Sequence, residues 1–290
     1  MSEQVYGFIG LGNMGGHMTA NLARNGTALV VYDKAGTAER APEDAVHAAS
    51  AAELACKVET VFLCLPDGDI CAAVIDKLLK ANPRSLKRIV ETSTIGIPAA
   101  EKGFETCKAA GVEYVDSPIS GGVAGARNAT LAIMFAGNAE TFELLHPVYA
   151  RMAKNIFHVG ERAGQGQAMK LLNNFLSGTA MAATSEAIAF GQGQGLDMIT
   201  MLDVLNVSTG QNTATSDKFV NRVLPETYDA GFLARLLYKD IRLYREAVTA
   251  AGASEPVSPS VAAVWKKLSD ATPDADFTRV YPFVRDKKYL

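Results

Sequence analysis

The chain has little of what would tie it to a nucleic acid, a membrane or a metal. Its 28 Lys and Arg are outnumbered by 31 Asp and Glu, a formal net charge of −3, and nowhere do the basic residues form a stripe able to neutralise a phosphate backbone. No uncharged apolar run approaches the ~18 to 20 residues that cross a bilayer, and the opening MSEQVYGFIG has no basic leader. These absences predict a cytoplasmic protein without membrane or nucleic-acid partners. Only four cysteines are present, Cys56, Cys64, Cys71 and Cys107, all in the first half and without a CxxC pair or metal-ligand spacing. They read as reduced, semi-buried thiols. The four histidines, His17, His47, His146 and His158, share no motif with carboxylates or cysteines, so no metal site is expected.

What is present is a chain of 290 residues, longer than one typical core supports, which favours two domains. The first half alternates short β-rich runs with Ala-rich amphipathic ones. Strands are expected at 5–9, 28–32, 60–65, 88–92, 113–117, 130–137 and 155–160, with helices near 14–25, 50–57, 68–81, 98–110 and 139–153. Parallel strands need crossover helices, so this alternation predicts a doubly wound, mostly parallel sheet covered on both faces. After Gly160 no convincing strand follows. Helices are expected near 164–194, 197–207, 212–222, 232–251 and 256–270, ending in an irregular tail, TPDADFTRVYPFVRDKKYL. The fold class is therefore α/β: a Rossmann-type doubly wound domain, residues 1–162, followed by an all-α domain, 163–290, that opens on a long helix.

GFIGLGNMGGHM places Gly10, Gly12 and Gly15 in GxGxxG spacing, after a predicted strand and at the start of a predicted helix. The first glycine permits a tight turn, the second lets backbone amides approach a pyrophosphate, and the third packs helix on strand. A bare glycine-rich turn is the alternative, but the next strand ends in Asp33, placed to accept hydrogen bonds from an adenosine ribose. That carboxylate favours NAD, while the adjacent Lys34 leaves NADP open. Asp33 could otherwise be a simple turn residue. Further on, DSPISGGVAGA sets Ser120, Gly121 and Gly122 just past a strand's carboxyl end, where open α/β sheets bind ligands. A hydroxyl and two glycine amides suit a carboxylate, although an ordinary turn would look the same.

GQGQAMKLLNN contains Lys170, the only Lys or Arg between Arg162 and Lys218. Leu171, Leu172, Phe175 and Leu176 surround it, so dehydration should lower its proton affinity towards the range of a working acid–base group. A neutral amine there could take the proton that leaves a hydroxyl when hydride leaves the carbon. Asn174, four residues on along the same helical face, could orient the oxygen. A solvated surface lysine is the alternative.

With GFIGLGNMGGHMTANL, CLPDG, ETSTI, DSPISGG, GQGQAMKLLNN and LLYKD in this order, nearly the whole chain resembles the β-hydroxyacid dehydrogenase family. The resemblance implies a homodimer or homotetramer that moves a hydride between NAD or NADP and a small β-hydroxy acid or its semialdehyde. Lys170 falls on the family's catalytic lysine, Asn174 on its partner, and Ser120, Gly121 and Gly122 on the carboxylate-binding motif. Cofactor contacts fall on Gly10, Leu11, Gly12, Asn13, Met14 and Gly15, on Leu65 and Pro66, on Thr94 and on Lys239. Ile70 stands where many members have an Asn that touches the cofactor. Without the resemblance, Lys239 and Asp240 read as a solvated helix patch and Thr94 as a cap or turn hydroxyl. The rivals are a sensor that holds a dinucleotide without chemistry, and a reductase of a larger polar or imine-like substrate. VSTGQN at 207–212 and Val123 would shape the pocket.

Overall fold

The computed structural model describes residues 4–288; the first three residues of the opening stretch and the last two of the C-terminal tail lie outside them. The chain divides into two compact units, Met1–Lys170 and Leu171–Leu290.

The first unit runs β1 (Tyr6–Ile9), α1 (Gly15–Arg24), β2 (Leu29–Tyr32), β3 (Val46–His47), α2 (Ala51–Ala55), β4 (Thr60–Leu63), α3 (Gly68–Lys80), β5 (Arg88–Glu91), α4 (Ile97–Ala109), β6 (Glu113–Asp116), β7 (Ile119–Ser120), α5 (Gly122–Arg127), β8 (Leu131–Ala136), α6 (Ala139–Tyr149) and β9 (Ala153–Gly160). The strands lie in the order β3-β2-β1-β4-β5-β6-β8-β7, with β9 beside β8. From β3 to β6 all pairings are parallel, and β8 runs antiparallel to β6 and β7.

Strand residues alternate between two apolar faces, as the period of two requires. Tyr6, Phe8, Val31, Phe62, Val90 and Val115 pack with Met18 and Leu22 of α1 and with Leu145 and Tyr149 of α6. Ile9, Val30, Val61, Leu63 and Ile89 pack with Leu54 of α2 and with Ile75 and Leu78 of α3. The sheet is therefore doubly wound, as its sequence pattern predicts. Strand order reverses between β1 and β4, successive strands being added outward on either side of them, which puts the switch point, and the ligand crevice typical of it, at their carboxyl ends. Two-residue strands such as β3 and β7 are too short to give a periodic signal, and the sequence reading misses both, along with α5. Cys71 and Cys107 are buried, Cys64 is half-buried and Cys56 is exposed; none is paired.

The second unit is helical. It holds most of α7 (Gln165–Gly193), then α8 (Met198–Asn206), a π-helical segment (Ala214–Val223), α9 (Ala234–Ala250), α10 (Ser258–Ala271), a 3-10 turn (Phe277–Arg279) and α11 (Val280–Arg285). Met181, Leu202, Phe219, Leu237, Ile241 and Trp265 form its core, and the Trp265 indole donates to the Gly178 carbonyl at 3.2 Å. The tail is not irregular: Phe277, Val280 and Tyr281 recur at helical spacing and are buried in that core. Pro282 disguised the pattern, yet it falls in the first turn of α11, where a missing N–H costs nothing.

Candidate functional site

The loop between β1 and α1 uses its three glycines differently. Gly10 has φ +97°, and a Cβ there would lie 2.2 Å from the Cys64 carbonyl oxygen. A Cβ on Gly15 would lie 1.9 Å from the Gly10 carbonyl oxygen. The fold itself requires both. A Cβ on Gly12 would meet nothing within 4 Å, so no neighbour in the chain demands glycine there. Asn13 beside it is exposed and Met14 half-buried. The first turn of α1 has neither a side-chain cap nor an acidic residue; Gly16 N and Met18 N are given to the carbonyls of Gly12 and Met14, and the positive dipole end stays open to an anion. Open space over Gly12 and the open helix end fit a pyrophosphate.

Asp33 follows β2. Its Oδ2 accepts from Leu11 N at 2.6 Å and its Oδ1 from Ala35 N at 2.7 Å, so the carboxylate is fixed against the glycine loop. Each oxygen keeps a lone pair for a ribose hydroxyl. Arg40, which the sequence reading does not single out, places Nη1 3.8 Å from the Asp33 Oδ2; Lys34 is exposed. One cation thus stands beside the carboxylate, and a second follows it in the chain.

Leu65 and Pro66 follow β4, and Thr94 follows the neighbouring β5. The loops are tied together because Leu65 N donates to Ser93 Oγ at 2.7 Å. Thr94 is half-buried and Pro66 exposed. Ile70 is exposed, and its backbone N–H serves the Asp67 cap of α3. Beneath these loops Glu91 is fully buried. Its Oε1 accepts from Ser93 N at 2.9 Å, while Oε2 has no hydrogen-bond partner. Burial pushes this carboxyl up to about 7.

Ser120 ends β7 and is half-buried, and Gly121 and Gly122 follow with φ of +133° and +62°. Two consecutive left-handed residues are open only to glycine at acceptable cost. The turn therefore needs the Gly pair, which a simple sequence reading left undecided.

Lys170 is 8 % exposed and Asn174 6 %, and they stand one turn apart on α7. The solvated-lysine reading fails. On α9 the reading of Lys239 and Asp240 as a solvated patch fails as well: Asp240 is 3 % exposed. Its Oδ2 accepts from Asn174 Nδ2 at 2.6 Å, and its Oδ1 lies 3.2 Å from the Lys239 ammonium. Asp240 thus fixes the Asn174 amide and leaves one amide hydrogen for another acceptor. Among the described residues, no group of three or more His, Cys, Asp or Glu is arranged to hold a metal ion, and no helix is long and apolar enough to cross a membrane.

Comparison with known proteins matches both halves of the chain. Residues 5–160 match the NAD binding domain of 6-phosphogluconate dehydrogenase, and residues 164–284 the NAD-binding domain of NADP-dependent 3-hydroxyisobutyrate dehydrogenase. A 3-hydroxyisobutyrate dehydrogenase of Pseudomonas aeruginosa is 38 % identical over 265 residues, covering 86 % of this chain and 87 % of that one. An NAD-dependent L-serine dehydrogenase from the same species is 32 % identical over 90 % of this chain and 91 % of its own. The solved structure of Mycobacterium tuberculosis 3-hydroxyisobutyrate dehydrogenase with L-serine superposes with a TM-score of 0.90 at 32 % identity, covering 97 % of this chain and 99 % of that one.

Proposed function

Since the chain belongs to the β-hydroxyacid dehydrogenase family and is an NAD(P)-dependent dehydrogenase of hydroxy acids, we propose that Lys170 exchanges the proton in that reaction and that its substrate is a small β-hydroxy acid or the corresponding semialdehyde. The bound nicotinamide supplies the hydride acceptor or donor. The Gly10–Gly15 loop, Asp33, Leu65, Pro66, Thr94 and Lys239 would hold the dinucleotide. Asp33 favours NAD, and Arg40 with Lys34 admits NADP. The substrate carboxylate would rest on Ser120, Gly121 and Gly122. Lys170, as the neutral amine, takes the hydroxyl proton as the carbonyl forms and returns it in reduction. The amide hydrogen of Asn174 not given to Asp240 would orient the same oxygen.

The observation that carries this reading is a lysine 8 % exposed, one helical turn from an equally buried asparagine that a carboxylate holds in place. A dinucleotide sensor has no use for such a pair. With 3-hydroxyisobutyrate or L-serine as substrate and NAD as cofactor, Lys170→Met should lower kcat by about 10² to 10⁴-fold, the usual contribution of a positioned acid–base group, with NADH affinity preserved. Retention of a tenth or more of wild-type turnover removes Lys170 from the reaction.

By the same reading, residues 1–162 serve the dinucleotide, and residues 163–290 serve the substrate and self-association. Leu176, Phe190, Leu196, Ile199, Val204 and Val207 are exposed on α7, α8 and the segments beside them, Phe190 at 68 % and Val207 at 87 %. So much apolar surface supports a second copy of this chain as its cover; a monomeric mass by sedimentation equilibrium at micromolar concentration excludes it. Four unpaired cysteines support a reducing compartment, the cytoplasm, where an immunoblot of fractionated cells should find the protein.

A further inference from the structure

The first turn of α7 lacks a cap of its own. Gly164 stands at the capping position with φ +92° and has no side chain to offer. The cap comes instead from β6, 48 residues back. Asp116 Oδ2 accepts from Gly164 N at 2.8 Å and from Gln167 N at 3.1 Å, while Oδ1 accepts from Gln167 Nε2 at 2.8 Å. Gln167 continues the chain of bonds into the loop after β5. Its Oε1 accepts from Ile95 N at 2.8 Å and Gly96 N at 3.1 Å, and its Nε2 donates to the Ser93 carbonyl at 3.1 Å. Every donor and acceptor of that amide is used. Both side chains are fully buried, and a Cβ on Gly166 would strike the Met134 carbonyl at 2.8 Å and Asp116 Cγ at 2.9 Å. The helix is thus pressed onto β6 and β8 as closely as glycine allows.

A buried polar network of this kind adds little net stability, because desolvation offsets its bonds. Fully satisfied, it fixes a single geometry. That geometry has one evident beneficiary: Lys170 is three residues beyond Gln167, on the same helical face and ~4.5 Å along the axis. We propose that Asp116 and Gln167 are positioning residues for the Lys170 amine, clamping the start of α7 to the carboxyl ends of β5 and β6. The inference rests on the role given to Lys170 above.

The test uses Asp116→Asn, which leaves a single acceptor oxygen, so that either the two backbone N–H groups or Gln167 Nε2 faces a donor, and Gln167→Met, which keeps the volume and removes the bonds. With 3-hydroxyisobutyrate and NAD, kcat should fall about 10 to 10²-fold, the scale of a ~1 Å misplacement. The solvent deuterium isotope effect on kcat should rise as proton transfer becomes limiting, while NADH affinity by fluorescence titration and the far-UV spectrum stay near wild type. A kcat within about twofold of wild type in both variants, beside an inactive Lys170→Met, overturns the clamp and leaves Lys170 in place. An active Lys170→Met overturns both readings. Parallel loss of fold, cofactor affinity and kcat in both variants assigns the pair to folding and also overturns the proposal.

Discussion

Gly12 and Gly15 stand three residues apart in one loop, yet the structure predicts opposite consequences for the same substitution. In Gly15→Ala the new methyl carbon meets the Gly10 carbonyl oxygen at 1.9 Å and Phe8 Cε1 at 3.1 Å. The obstacle is backbone and cannot swing aside, so either β1 or α1 must shift. Overpacking of this sort costs about 2 to 3 kcal/mol, which for a unit of this size lowers the melting temperature by about 5 to 10 °C. In Gly12→Ala the methyl meets nothing within 4 Å, and Gly12 is not among the glycines with positive φ. There the alanine should stabilise the chain by about 0.4 to 1 kcal/mol through its stiffer unfolded state. The added methyl occupies the space assigned to the pyrophosphate, so NADH affinity should fall about 10 to 10²-fold, equivalent to about 1.4 to 2.7 kcal/mol. Differential scanning fluorimetry without cofactor and NADH fluorescence titration read the two effects separately. If Gly12→Ala binds NADH as well as wild type does, the dinucleotide does not cross that glycine, and the loop's assignment is wrong. An unchanged melting temperature in Gly15→Ala would contradict the steric account.

Glu91 gives a stability prediction whose sign is set by its pKa. The folded value, about 7, lies above the ordinary 4.5 because burial penalises the charged form. Between those values the native state holds a proton that the unfolded chain has released, so the wild type loses stability as pH rises through this window. At about 1.4 kcal/mol for each tenfold change in proton affinity, the loss reaches about 3 kcal/mol above pH 7. Glu91→Gln should therefore melt several degrees above wild type at pH 8 and level with it near pH 4.5, whereas a pH-independent difference would show that Glu91 titrates normally. For cofactor choice, Asp33→Ala removes the carboxylate and leaves Arg40 and Lys34. The ratio of kcat/KM for NADP to that for NAD should then rise about 10-fold or more, since each hydrogen bond to a charged group is worth about 1.5 to 3 kcal/mol; an unchanged ratio would mean that Asp33 does not meet the ribose.

Local spacing made some of the candidate site legible before any coordinates. Gly10, Gly12 and Gly15, the acid that follows β2, and the isolated Lys170 can each be found within a dozen residues of sequence. Apart from the two-residue, exposed β3, the strands of the parallel sheet were also legible, because a strand buried on both faces is a continuous apolar run. What escaped depends on long-range pairing. Nothing near Asp116 shows that it caps a helix starting 49 residues later, and nothing near Asp240 shows that it turns inward to Asn174 and not out to water. Arg40 lies in a stretch without regular structure, where no periodicity says which way a side chain points. The buried tail was missed for a different reason: a proline at the start of a helix looks, in sequence, like a proline that forbids one.

The Asp33 carboxylate is already anchored to the Leu11 and Ala35 amides before any nucleotide arrives. Its rotamer freedom is surrendered during folding, so docking an adenosine need not immobilise it, a saving of roughly 0.5 to 1.5 kcal/mol for such a side chain. On the role proposed for Asp33, discrimination between the two nucleotides would then be built into the resting protein, in the shape of one short loop.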